Sequence, residues 1–215
     1  MQEFDVRQLR CGTLVCVHDA TFDRTTDAAR VFGPGLPVAA ANWRQVERLD
    51  AGSWFGSAHA GERVPTLAEA LATITLDGIA MIEHKHGAAD AFVAAVRAAD
   101  PSRCVLQSFD WQWVAQVAAL APELAIALLG PTPQCSTAAA AIGSARAVGA
   151  GMVHWHAPQL RRADVTAAHD AGLLVCSYTS DDELAWHGGA ALGIDAMCTN
   201  DPEAMLRAAA GATRI

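Results

Sequence analysis

Long apolar runs are missing from this chain. No window approaches the roughly 18 uninterrupted apolar residues that a transmembrane helix needs. The alanine-rich stretch from Thr137 to Ala150 comes closest, and Ser144 and Arg146 interrupt it. Positive charge is scarce as well: 15 Lys and Arg stand against 23 Asp and Glu, a formal net charge of −8. That balance excludes the broad basic patch of a nucleic-acid or anionic-membrane surface, so neither nucleic acid nor stable membrane insertion is expected. An acidic protein that handles an anionic substrate then needs a local cation, side chain or metal. The six cysteines (Cys11, Cys16, Cys104, Cys135, Cys176, Cys198) contain no CxxC pair and no zinc-ligand spacing. They read as small buried hydrophobes in a reducing, cytoplasmic compartment, not as a disulfide framework. No signal-peptide pattern opens the chain as given.

What is present is core material. With 52% hydrophobic and 18% charged residues, 215 positions suffice for one large core. Short β-rich runs alternate with longer Ala/Leu-rich stretches, the pattern of a parallel α/β sheet. Strands are expected at 3–6, 80–85, 104–109, 125–129, 152–156, 173–178 and 196–198. Helices are expected at 66–74, 88–99, 111–121, 134–148, 159–171, 181–192 and 202–210. Pro122 and Gly172 end helices, and Asp181 is the expected cap of the next. Residues 14–17 look like an extra strand before His18, and 19–63, with Gly33, Pro34, Gly35 and Pro37, read as an ordered insertion. Seven barrel strands result, where a TIM (β/α)8 barrel has eight and about 250 residues. The deficit of roughly 35 residues is the size of one βα unit, and the first is the one expected to be missing.

Strand parity selects the candidate site. Alternate residues share a face, so Glu3 aligns with Asp5, and Glu83 with Lys85. Carboxylates aimed together are costly unless a cation sits between them. Three at strand ends suit a hard divalent ion, and a lysine beside them suits a phosphate oxygen. Taken alone, either strand is as readily a solvated end with a simple salt bridge. His18, at the end of an apolar run, is placed for proton transfer, with Asp19 able to fix its tautomer.

The joint pattern narrows this. Glu3-Phe4-Asp5-Val6 followed by His18-Asp19-Ala20-Thr21-Phe22-Asp23-Arg24-Thr25-Thr26 closely resembles the glycerophosphodiester phosphodiesterase family. So do Leu49-Asp50-Ala51-Gly52-Ser53-Trp54-Phe55 and Gly61-Glu62-Arg63-Val64-Pro65-Thr66-Leu67-Ala68-Glu69-Ala70-Leu71. Ile82-Glu83-His84-Lys85, Ser108-Phe109-Asp110, Ala168-His169-Asp170-Ala171-Gly172, Tyr178-Thr179, Gly193-Ile194-Asp195 and Thr199-Asn200-Asp201-Pro202 follow in the family's order.

The resemblance implies a TIM barrel of the phospholipase C-like phosphodiesterase type, with 1–215 as one domain lacking its first βα unit and 19–63 inserted in it. It implies hydrolysis of a small-molecule glycerophosphodiester to glycerol 3-phosphate and an alcohol, with Mg²⁺ or Ca²⁺ as cofactor. Glu3, Asp5 and Glu83 are then the metal ligands. His18 is one of two catalytic histidines, and Lys85 is the catalytic cation that binds phosphate. Ser108 and Tyr178 contact substrate, Tyr178 standing where the family commonly has Trp. His154 and His156 are further substrate-contact candidates. The family's His-Arg-Gly strand end and Pro-Glu-Asn motif have no counterpart here, and Asn200 replaces a common Asp. Losing one member of an acid/base pair costs about 10²–10⁴-fold, so weak activity is expected of this chain. Exposed strand edges and a fraying end that carries two of the three metal ligands predict a chain that is unstable, metal-poor or oligomeric, a homo-oligomer being the assembly such edges allow. The competing readings are an impaired barrel remnant that binds without catalysis, and a phosphatidylinositol phospholipase-like or phospholipase D-like enzyme. His84, His86 and His187 are expected at the surface, and His169 in a structural hydrogen bond.

Overall fold

The computed structural model describes residues 1–212. They form two compact units, one of Met1–Leu106 with Ala119–Leu124, the other of Gln107–Ala118 with the described residues from Ala125 onward. The class is α/β.

In the first unit, β1 (Gln2–Gln8) pairs in parallel with β3 (Ala80–His86), with Asp5 opposite Glu83. On its other edge β1 pairs antiparallel with β2 (Leu14–Cys16), the extra strand, through Val6–Cys16, Arg7–Val15 and Gln8–Leu14. That pairing explains why β1 runs past the expected 3–6: Arg7 and Gln8 find ladder partners in β2. All of Ala80 to His84 is buried, as in a parallel strand covered on both faces. Glu83 is the one acidic residue among the buried polar groups of the described residues.

Residues 19–63 carry two short helices, α1 (Ala28–Phe32) and α2 (Trp43–Val46). Phe22, Val38, Val46, Leu49 and Val64 pack there with Val15 and Val17. The segment is also organised by Asp50, whose carboxylate accepts from Gly52 N, Ser53 N, Ser53 Oγ and Gly61 N at 2.6–3.0 Å. Helix α3 (Leu67–Ile74) opens on a capping box in which Thr66 and Glu69 satisfy each other's backbone N–H. Helix α4 (Ala89–Arg97) follows β3.

Strand β4 (Cys104–Ser108) leads to α5 (Trp111–Leu120). In the second unit β5 (Ala125–Gly130), β6 (Met152–His156), β7 (Leu174–Tyr178) and β8 (Ala196–Met197) pair in parallel in chain order. Between and after them come α6 (Ala138–Val148), α7 (Arg162–Asp170), α8 (Glu183–Leu192) and α9 (Pro202–Ala212). Helix α6 starts later than expected, because Thr137 caps it and Thr132 and Cys135 close a turn just before.

Three local readings are corrected. Asp182, not Asp181, caps α8 by accepting from Ala185 N, while Asp181 accepts from Asn200 N and Nδ2. His84 is buried against Phe92, with Nε2 3.1 Å from Gly87 O, because β3 is covered on its far side too. Cys11 is exposed, since it lies in the turn between β1 and β2. His169 does make its hydrogen bond, Nε2 lying 2.9 Å from Asp195 Oδ2. No described helix is long and apolar enough to cross a membrane.

Candidate active site

Register and parity bring three carboxylates of the first unit together. Asp5 and Glu83 are partners across β1 and β3, and Glu3 lies one same-face step back along β1. One carboxylate oxygen from each of Glu3, Asp5 and Glu83 lies within 4.8 Å of the others. Lys85, the only lysine in the sequence, projects from the same face of β3. Its Nζ lies 3.3 Å from Asp5 Oδ1 and in direct ionic contact with Glu83 Oε1.

Burial pushes the Glu83 carboxyl up, with Asp5 adding to the rise and Lys85 opposing it. Burial works against the Lys85 ammonium, yet Glu83 and Asp5 together hold its pKa above the ordinary value. Glu83 Oε1 is fully enclosed, in ionic contact with Lys85 and close to carboxylate oxygens of Glu3 and Asp5. An all-oxygen donor set of this kind fits a hard divalent cation.

His18 follows β2, held to β1 by Val17 N donating to Asp5 O at 2.9 Å. Its Nδ1 lies 2.7 Å from Asp19 Oδ1, which leaves Nε2 as the ring's outward nitrogen. Asp19 is itself gripped by Arg24, Nε to Oδ2 at 2.5 Å and Nη2 to Oδ1 at 3.0 Å. Those Arg24 bonds, and then the one from His18, hold the Asp19 carboxyl well below the usual carboxylate range. His18 is therefore oriented by a permanent anion, with its side chain 57% exposed. It is close enough to Glu83 to favour that residue's charged form.

The other candidates belong to the second unit. Ser108 is buried at the end of β4, its Oγ accepting from Asp110 N at 3.0 Å. Tyr178 closes β7 and donates its hydroxyl to Gly130 O at 2.8 Å, with Phe109, His154 and His156 around its ring. His156 is half-buried; His154 is fully enclosed, Nδ1 lying 2.8 Å from Gln107 Oε1. Sequence reading passed over Cys176 and Cys198, which the structure brings against His154. Strand parity marks His154 and Cys176 as inward residues, but their proximity needs the β6–β7 register. Hydrogen bonding to Cys176, opposed by burial and reinforced by His154, holds the Cys198 thiol below its ordinary range.

Known proteins resemble this chain in sequence and in fold. A glycerophosphodiester phosphodiesterase of Bacillus subtilis is 29% identical over 224 residues, covering 94% of this chain and 73% of that one. One from Caldanaerobacter subterraneus is 35% identical over 135 residues, 59% of this chain and 53% of its own length. Among solved structures, an Oleispira antarctica phosphodiesterase in complex with the product sn-glycerol-3-phosphate superposes with a TM-score of 0.83. It is 26% identical, with 96% of this chain and 83% of that chain covered. Such likeness puts the fold in the TIM-barrel-type α/β class. Residues 1–204 match the Glycerophosphoryl diester phosphodiesterase family, and the chain belongs to that family of hydrolases.

Proposed function

We propose that this chain hydrolyses glycerophosphodiesters to sn-glycerol 3-phosphate and an alcohol, using a divalent cation held by Glu3, Asp5 and Glu83. The observation that carries the reading is the convergence of those three carboxylates with the only lysine on one face of the β1–β3 pair. The all-oxygen donor set narrows the ion to Mg²⁺ or Ca²⁺. When bound, such an ion supplies Lewis-acid polarisation of a phosphoryl oxygen. Lys85 attracts a further phosphate oxygen as a point charge, which brings an anionic substrate to an acidic protein. His18 passes a proton to or from the attacking or leaving oxygen through Nε2, with Asp19 fixing the tautomer and steadying the imidazolium. Ser108, Tyr178, His154 and His156 are proposed as substrate contacts. Part of the same proposal is that 1–215 is one domain with 19–63 inserted in it, working in the cytoplasm, where six free thiols persist.

The test is release of glycerol 3-phosphate from the choline, ethanolamine, inositol and glycerol diesters, with Mg²⁺ or Ca²⁺. Glu83→Gln should remove the metal-dependent part of that release while circular dichroism stays unchanged. Release that is equal in Glu83→Gln and the parent would falsify the assignment.

A further inference from the structure

The second unit holds a donor set of different chemistry. We infer that His154, Cys176 and Cys198 form a site for a thiophilic d¹⁰ cation, Zn²⁺ above all. This inference does not depend on the activity proposed above, and it gives His154 the role of a ligand in place of that of a substrate contact.

The three residues sit on three neighbouring strand positions. His154 of β6 is the register partner of Cys176 of β7, and Cys198 lies just past β8. One ligand atom from each lies within 4.8 Å of the others. His154 Nε2 and Cys198 Sγ are 3.5 Å apart. Zn–N near 2.0–2.1 Å and Zn–S near 2.3 Å place two ligands of one tetrahedral ion roughly 3.5 Å apart, so this pair already has the required span.

The surroundings hold the ligands in place. Gln107 Oε1 accepts from His154 Nδ1 at 2.8 Å, which turns the Nε2 lone pair towards the thiols. A partner of that kind on the far ring nitrogen is the usual support of a metal-bound histidine. The Tyr178 ring stands at 88° to the imidazole, 5.2 Å between centroids, and limits its rotation. Cys198 is fixed by its backbone, its N donating to Ser177 O at 2.7 Å and its O accepting from Ser180 N at 2.9 Å.

Charge also balances. Each thiol that ligates gives one proton to solvent, so two thiolates, one neutral imidazole and Zn²⁺ make an electroneutral group. Such a group is tolerated where His154 and Cys176 are each 1% exposed. Soft sulfur ligands reject Mg²⁺ and Ca²⁺, so this site and the carboxylate cluster select different ions. Three protein ligands leave a fourth position for water or a small ligand.

The test uses the whole chain, stripped with chelator under reducing conditions and titrated with Zn²⁺ against a chromophoric competitor, and separately with Co²⁺. One equivalent of Zn²⁺ should bind, and the Co²⁺ form should show thiolate-to-metal charge-transfer absorption. Glu83→Gln should keep both signals, which separates this site from the carboxylates. Cys198→Ser, at the most accessible of the three, should weaken Zn²⁺ by roughly 10–100-fold or more and reduce the cobalt band. His154→Gln gives a second reading should a cysteine variant fold poorly, and should weaken Zn²⁺ similarly. Absence of the cobalt band in the parent overturns the inference, as does equal Zn²⁺ affinity in the parent and either folded variant.

Discussion

Replacing Lys85 with Met keeps the side chain's bulk and removes its charge, leaving Glu3, Asp5 and Glu83 facing one another. The lost attraction is large in gross terms. At the 3.3 Å separation from Asp5 Oδ1, an effective dielectric of about 20 gives roughly 5 kcal/mol. Solvent screening takes only part of this, since the Lys85, Asp5 and Glu83 side chains are 17%, 22% and 9% exposed. The net loss has a ceiling, because Glu83 can take a proton instead of remaining an unpaired anion. Carrying a carboxyl from an ordinary pKa near 4.3 to protonation at pH 7 costs about 3.7 kcal/mol. The expected loss of stability is therefore about 3 kcal/mol, or roughly 6–12 °C in Tm for a chain of this length. The sign with pH follows. A carboxyl whose folded pKa is raised binds more protons folded than unfolded, so the deficit grows as pH rises above the unfolded value. Thermal melts in chelator at pH 7 and pH 5 should show the larger deficit at pH 7, and excess Mg²⁺ or Ca²⁺ should recover much of it by mass action. A Tm within about 2 °C of the parent at pH 7 would refute the electrostatic argument.

Two further predictions concern the frame around the sites. Asp50→Asn should loosen 51–63, because the donors from Ser53, Gly52 and Gly61 hold that carboxyl well below its usual range. Its contribution is present above the unfolded carboxylate pKa and fades as pH falls. Limited proteolysis should cut the variant faster between 51 and 63, and an unchanged cleavage rate would contradict the assignment. Gly130→Ala should be destabilising by about 3 kcal/mol or more. Its Cβ would lie 2.0 Å from Trp155 Cζ3, a ring with no exposure and no room to move. Denaturant unfolding measures it, and a midpoint equal to the parent's would show that the backbone yields.

Much of the site is local information. Glu3 and Asp5 share a face because strand side chains alternate, and Glu83 with Lys85 for the same reason, so each pair is legible from two residues of spacing. His18 beside Asp19 is legible as adjacency. The alternation of β-rich and Ala/Leu-rich segments likewise declares an α/β chain, because hydrophobic period follows directly from backbone geometry. Boundaries were less legible: the extension of β1 to Gln8 depends on pairing with β2, and the Asp181–Asn200 link depends on residues 19 apart.

What the sequence by itself determined is the order of the elements and which side chains share a face of one strand. Tertiary structure alone decided which strands are neighbours and in what register. It set Asp5 opposite Glu83 and His154 opposite Cys176. It also buried Glu83 while leaving Glu3 exposed, a difference that parity cannot express. The reason is physical: side-chain alternation is a property of one backbone. Register is set by hydrogen bonds between segments far apart in the chain, and burial by whatever packs over them.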